Sequence, residues 1–516
     1  MLPDRQRLLA GLLRANPALL LAALFAFLWA IARACVQSVT MDEADTYLKF
    51  AGRTEIFHWF PAANNHILNS ALIRLFTSIF GLSHLTLRLP ALLGAGVYIA
   101  ACLYLCVLLS DKLTLTLPLF ICLVYNPLVA DYLVLARGYG MAAAFLVSAI
   151  AAIASIPLRE TPPAKGLAAS SVFAALSFSA NFSFAFANLA VLATGFWWIS
   201  RSIPGSRGFK WRWLAAAALP GALVTAVISL PTILQWPSGQ LYDFARSLRQ
   251  WFGSVIHWSL VEVNPELANP LVSWVLHHIQ HRLFPALALV VAWRLTVVLL
   301  NWRRAGESPI TGLAAMLGSA LVLATLTHWI VFHTFGLLLP YNRTALFCVP
   351  LGTLFVGALA AAPANSRASS LSTGVSARAS AIACVTMLAA FAVYFLFCMR
   401  LTWSGEMRPD ADVRSAYSAL APYNHTYCVD TVGASWLYSS VLDFYRVLSG
   451  RESFTEFQPG LPLPKNLDVY VVNARGDSEF IDAQQLSVVY RGVLTDLVIA
   501  VRPDRLKRRA PDGGCP

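Results

Sequence analysis

"ARACVQSVTMDEADTYLKF", residues 32–50, ends an apolar run of membrane-spanning length and then sets down two neighbouring acids, Asp42 and Glu43. A span needs about 20 mostly apolar residues, and residues 17–39 supply them. Carboxylates cost far less at a bilayer boundary than at its centre, so position alone allows these two to be solvated markers of a loop. The polar company at similar depth asks for more: Asp45, Tyr47, His58, Asn64, Asn65, His66 and Asn69. A partly desolvated carboxylate gains proton affinity and can act as a general base.

Outward from this stretch, 58% of the 516 residues are hydrophobic and 12% charged, with a mean hydropathy of +0.62. That composition cannot form a water-exposed globule around one core and implies a polytopic membrane protein. About 11 transmembrane helices are expected, near 17–39, 86–110, 113–131, 138–157, 166–181, 183–200, 213–234, 283–300, 310–335, 344–362 and 380–400. Trp29, Trp197, Trp198, Trp302 and Trp329 mark span ends, as interfacial belts require. The formal charge of +12 falls in short clusters between apolar runs, which suits anionic lipid and topology rather than nucleic acid.

With a cytoplasmic N-terminus, the inner segments collect Arg5, Arg7, Arg14, Lys112, Arg159, Lys165, Arg201, Arg207, Lys210, Arg212, Arg303, Arg304, Arg367 and Arg378. The first apolar run lacks a clear cleavage site and is expected to stay as an anchor. Asp42 and Glu43 then lie outside, with a first external loop (40–85), a middle external loop (235–282) and the tail. Within the first loop, Leu68, Ala71, Leu72, Leu75, Phe76, Ile79 and Phe80 recur with helical period, predicting an amphipathic helix in the outer interface. "LYDFARSLRQWFGSVIHWSL", 241–260, predicts a second. The transmembrane domain is placed at 1–402.

Residues 403–516 change character. "YCVDTV" (427–432), "LDVYVVNA" (467–474), "LSVVYRG" (486–492) and "DLVIAVRP" (496–503) read as strands, and "SWLYSSVLDFYRVLSG" (435–450) as a helix, predicting a small external α/β domain. Cys428 and Cys515 are left open as a pair or as free thiols, and most other cysteines lie in apolar runs as small packing residues.

"MDEADTYLKFA" (41–51) followed by "NNHILNSALIRLFTSIFGLSHLTLRLPALLGAGVYIA" (64–100) resembles the membrane glycosyltransferases of the GT-C fold, the bacterial group related to protein O-mannosyltransferases and aminoarabinose lipid A transferases. Their pattern is an Asp-Glu pair after the first span, a juxtamembrane helix, then Gly-x-Ser and LRLPALL, matched here by Gly81, Ser83 and residues 87–93. "DYLVLARGYGMAAAF" (131–145) and "LPYNRTALFCVPLGTLF" (339–355) are similar to later segments of the family, so the resemblance covers about the first 360 residues in order.

The resemblance implies transfer of a sugar, with inversion, from a polyprenyl-phosphate donor to a glycolipid, polysaccharide or protein acceptor on the outer face of a bacterial inner membrane. It assigns the base to Asp42; beside it Glu43 is read as a helper or an acceptor contact, and Asp131 as a second acid that orients Arg137 or the acceptor, or as part of a polar turn between spans. Arg137 and Arg343 would hold the donor phosphate, since a guanidinium binds phosphate bidentately and stays charged. Snorkelling anchors are the alternative for both. Asn65, His66, Tyr139 and Tyr341 are the expected substrate contacts, and "NNH" departs from the Pro-rich pattern common among relatives. No cofactor is implied. His277 and His281 stand one helical turn apart, and a divalent metal is left open without ligand spacing to support it. A flippase for lipid-linked sugars, an oligosaccharide ligase using Arg246, Arg249 and His257, and a non-catalytic subunit remain as alternatives.

Overall fold

The computed structural model describes residues 16–53, 65–203, 207–234, 245–261, 269–278, 308–362, 371–429, 431–450, 457–460, 463–465 and 467–504, with residues 282, 296, 506 and 508. Among these, eight helices are long and apolar enough to cross a membrane, starting at Pro17, His84, Tyr139, Phe182, Lys210, Pro309, Asn342 and Arg378. The chain is a multi-pass membrane protein.

Two of the expected spans differ, and a third is not described. Residues 113–131 form two pieces, Leu113–Val124 and Pro127–Tyr132, because the Asn126 side chain accepts from the backbone N–H groups of Leu128 and Val129 and starts a new helix with proline at its first position. The helix Pro163–Ala180 is 18 residues long but is not among the eight, its serines (Ser170, Ser171, Ser177 and Ser179) being buried against neighbouring helices. The span at 283–300 lies outside the described residues apart from residue 296.

On one face the connections between spans are themselves ordered. Met41–Thr46 is a short helix whose N-terminus carries a capping box: the Thr40 side chain accepts from Glu43 N and Glu43 accepts from Thr40 N. Helix Ile67–Phe80 buries Ile67, Asn69, Ser70 and Ile73 and leaves Leu75, Ile79 and Phe80 exposed, apolar side chains that suit the bilayer interface. In the middle loop, Leu248–Ile256 is helical, and Ala245 pairs with Leu339.

The tail supplies a five-stranded sheet of order β2-β1-β3-β5-β4, with β1 Gly433–Ser435, β2 Gln458–Gly460, β3 Val469–Asn473, β4 Ser487–Arg491 and β5 Leu497–Val501. The first strand is not "YCVDTV" itself. Tyr427 makes only an isolated bridge to Arg508, and ladder pairing starts at Gly433, where a Cβ would come within 2.5 Å of the Tyr470 ring on β3. Helix Trp436–Leu448 matches expectation. Period-2 alternation splits β3 and β5 between two cores. Val469, Val471, Ile499 and Val501 join Tyr438, Leu442 and Phe444 in one core that also takes in Val39, Ala44, Ile73, Leu87 and Ala136. The tail therefore closes its main core against the first loop. Cys428 is disulfide-bonded; Cys515, the residue considered as its partner, lies outside the described residues.

Candidate functional site

Helix Met41–Thr46 is fixed from three sides. From the "LRLPALL" segment, buried Arg88 places all five of its N–H donors: Nε and Nη2 on the two oxygens of Glu43 (2.9 and 2.7 Å), and the rest on the carbonyls of Ala34, Gln37 and Ser38. Glu43 also accepts from Ala136 N at 2.8 Å and Thr40 N at 3.0 Å. From the tail, Asp410 accepts from Met41 N at 2.9 Å, and the Tyr445 hydroxyl accepts from Val39 N at 3.0 Å. From below, Arg137 donates to Asp42 O at 3.2 Å and Thr46 Oγ1 at 2.8 Å.

This scaffold corrects two expectations. Glu43 is fully buried with both oxygens engaged, so it holds the helix and has no oxygen left for an acceptor. Asp131 does not meet Arg137. It is buried between Arg33, 2.6 Å from Oδ1, and Arg400, and accepts from Gly405 N at 2.7 Å, tying the first span to the start of the tail. A small cavity between the first and last spans, lined by Trp29, Arg33, Tyr125, Asp131, Cys398 and Arg400, belongs to this tie.

Asp42 points the other way. Its Oδ2 lies 3.1 Å from Arg343 Nη2 and 3.7 Å from Arg137 Nε. Burial pushes the Asp42 carboxyl up, but Arg137, Arg343, His66 and Lys49 pull it down further, so it stays below the usual aspartate range. Partial burial alone led to the opposite expectation. Arg343 is aimed by a left-handed turn at Asn342 (φ +48°), a conformation Asn tolerates, whose N–H donates to Ser254 Oγ of the middle loop at 2.9 Å. The other face of Arg343 carries a residue that sequence reasoning missed: Glu406 Oε1 at 2.9 Å, with Glu406 Oε2 accepting from the Tyr132 hydroxyl.

His66 precedes helix Ile67–Phe80 and is buried. Burial, then Arg137 and Arg343, drive its pKa well below the ordinary imidazole value against the pull of Asp42, which leaves the ring neutral. Nε2 is 3.4 Å from Asn181 Nδ2, and Nδ1 is buried with no hydrogen-bond partner among the described residues. Tyr139 packs edge-on to His66 and against Tyr132, with ring centroids 5.2 and 5.0 Å apart. The chain turns between Arg137 and Tyr139 at Gly138 (φ +76°), where a Cβ would lie 2.3 Å from Ala180 O. Asp42, Arg137, Arg343, His66 and Tyr139 are thus brought together. Asn65 is not an open contact, because it is fully buried and its Oδ1 accepts from Ser70 Oγ at 2.7 Å. Tyr341 packs against the apolar core.

Of the other polar residues singled out, Asn69 donates to Ala136 O, Asp45 pairs with Lys49, and Tyr47 packs on Phe444. His58, Asn64 and His281 lie outside the described residues. Among the described residues no three His, Cys, Asp or Glu side chains are grouped to hold a metal ion. Arg246 and Arg249 are exposed.

No family model matches the chain, and no curated protein matches it in sequence. Among solved structures it is similar to ArnT from Cupriavidus metallidurans, both in the apo state (TM-score 0.51, 12% identity) and bound to undecaprenyl phosphate (TM-score 0.50, 13% identity). Each match covers 94% of this chain and 97% of that one. The chain has the GT-C fold, and the likeness runs past residue 360 into the tail.

Proposed function

We propose that this protein is a membrane glycosyltransferase that moves a sugar from a polyprenyl-phosphate donor to a hydroxyl acceptor on the outer face of a bacterial inner membrane. The observation that carries the reading is the Asp42 carboxylate held against Arg343 and Arg137 at one end of a multi-pass bundle. An acceptor hydroxyl needs a base within hydrogen-bond reach as the anomeric carbon is attacked, and Asp42 is ionised for that task. The departing phosphate needs fixed positive charge, which the two guanidiniums supply. A single displacement inverts the anomeric centre. The undecaprenyl phosphate bound by ArnT supports a lipid of this class as the donor's carrier. The disulfide at Cys428 supports an oxidising compartment on the tail's side.

In this reading neutral His66 offers its Nδ1 to a sugar hydroxyl, and Tyr139 lines the sugar. Glu43 and Asp131 are positioning residues, and Asn65 and Tyr341 act through the segments they brace. Residues 403–516 form a unit that covers the base-bearing helix and faces the acceptor.

The test is Asp42→Asn, which keeps the side chain's shape and its place between the arginines. Transfer from a polyprenyl-phosphate sugar in proteoliposomes should fall by at least about 10²-fold, the usual worth of a positioned base. The variant should still insert and elute as a single species. Near-normal transfer in such a preparation would remove the base assignment.

A further inference from the structure

Glu406 stands just beyond the last span, in "TWSGEMRPD", outside every segment that suggested chemistry. It nevertheless takes one of the two faces of Arg343, with Asp42 on the other, so the guanidinium proposed to receive the phosphate is already occupied by two carboxylates. Side-chain exposure is 24% for Arg343, 14% for Glu406 and 10% for Asp42, so the exchange takes place in a site that water screens poorly.

The cluster balances two acids, Asp42 and Glu406, against two cations, Arg137 and Arg343. A donor phosphodiester brings one more negative charge into that balance. If it leaves Arg343, Glu406 keeps neutral partners, the Tyr132 hydroxyl and the Asn342 side chain, whereas Asp42 is still held by the charge of Arg137, 3.7 Å away. Resting on the phosphate reading above, we propose that Glu406 is the resident anion of Arg343, exchanged for the donor's phosphate with uptake of one proton, and competing again for Arg343 when the product phosphate departs.

The groups facing Glu406 are Arg343 and Asn342 from the turn before Cys348–Ala361, Tyr132 from Pro127–Tyr132, and Asp42 from Met41–Thr46, the last flanked by Arg137 and His66. Burial already raises the Glu406 carboxyl above the ordinary glutamate value. Asp42 adds to this, while Arg343, Tyr132 and Asn342 oppose it. Bringing an anion onto Arg343 removes the largest opposing influence.

The experiment measures binding of a polyprenyl methyl phosphate diester, whose single charge does not titrate near neutrality, to the full-length protein in detergent at pH 6 and pH 8. Wild type should bind more weakly at pH 8, by up to about tenfold per pH unit where the proton must be taken up. Glu406→Gln, which mimics the protonated acid, should bind at least about fivefold tighter at pH 8 and lose the pH dependence. A residue that only braced the loop would instead weaken binding when replaced and leave the pH slope intact. That result overturns the inference, as does unchanged affinity in Glu406→Gln.

Arg343→Ala, or Arg343→Lys if the alanine variant is not recovered folded, separates the two claims. If wild type binds and the Arg343 variant does not, an unresponsive Glu406→Gln sinks the exchange alone. If the Arg343 variant binds like wild type, the phosphate reading falls and takes the exchange with it. Dimethyl phosphate serves as a second probe: the same gain in Glu406→Gln supports exchange at the headgroup, and a gain confined to the lipid overturns it.

Discussion

Glu43→Gln distinguishes a structural from a chemical role for the second acid of the Asp-Glu pair. In wild type, Glu43 Oε1 accepts from Arg88 Nε and Ala136 N, while Oε2 accepts from Arg88 Nη2 and Thr40 N. Whichever oxygen becomes an amide NH₂, two N–H donors then face a donor, and Arg88 keeps its charge in a site where neither partner is exposed. Hydrogen bonds to charged groups are worth about 1.5–3 kcal/mol each, so losing two costs roughly 3–6 kcal/mol. The penalty for breaking a buried pair, about 3–5 kcal/mol, agrees. At about 2 °C per kcal/mol for large domains, the melting midpoint should drop by roughly 6–12 °C. The assay is thermal unfolding in detergent, followed by transfer measured well below the variant's midpoint. A variant with the wild-type midpoint and no transfer would refute this reasoning and return Glu43 to the chemistry.

The free-enzyme profile of kcat/KM should keep its base form down to an acid limb below about pH 4, because Asp42 is held under its ordinary value of about 3.9. Donor phosphate on Arg137 and Arg343 offsets the charge that depresses it, so the acid limb of kcat should lie at higher pH; paired profiles showing the reverse order would contradict this. Gly138→Ala should cost about 1–2 kcal/mol for the left-handed backbone, and more for a Cβ placed 2.3 Å from Ala180 O, with transfer lost as Arg137 and Tyr139 shift. A wild-type midpoint in that variant would show that the turn can relax.

The membrane frame was legible because apolar length and basic clusters report directly on the solvent each segment meets. The amphipathic helix after residue 66 and helix Trp436–Leu448 were legible for the same reason, through periodicity. Asp42 could be found from its polar neighbours at similar depth and from the resemblance, Arg343 from the resemblance, and Arg137 because charge within a span is costly and therefore informative. Partners were harder to find, since nothing in local sequence states that Arg88 reaches Glu43 across 45 positions or that Arg33 and Arg400 share Asp131. Arg33 stood inside the quoted stretch and Arg400 ended the last expected span, so buried charge at both places was the available signal. Glu406 and Asp410 lay on the far side of the expected domain boundary, where a change of composition was read as a change of role. The sign of the Asp42 shift depended on two arginines that converge only in three dimensions.

The shared core between tail and first loop has a consequence in time. Val39 and Ala44 are made more than 400 residues before their packing partners Val469, Ile499 and Val501. Until those strands are made the chain carries its acidic helix without a roof, and for the 63 residues that separate them Arg343 is without Glu406. The pocket becomes a finished object only when the strands of the tail have been made. A truncated chain would therefore have every span and still lack the packing that fixes where Asp42 stands.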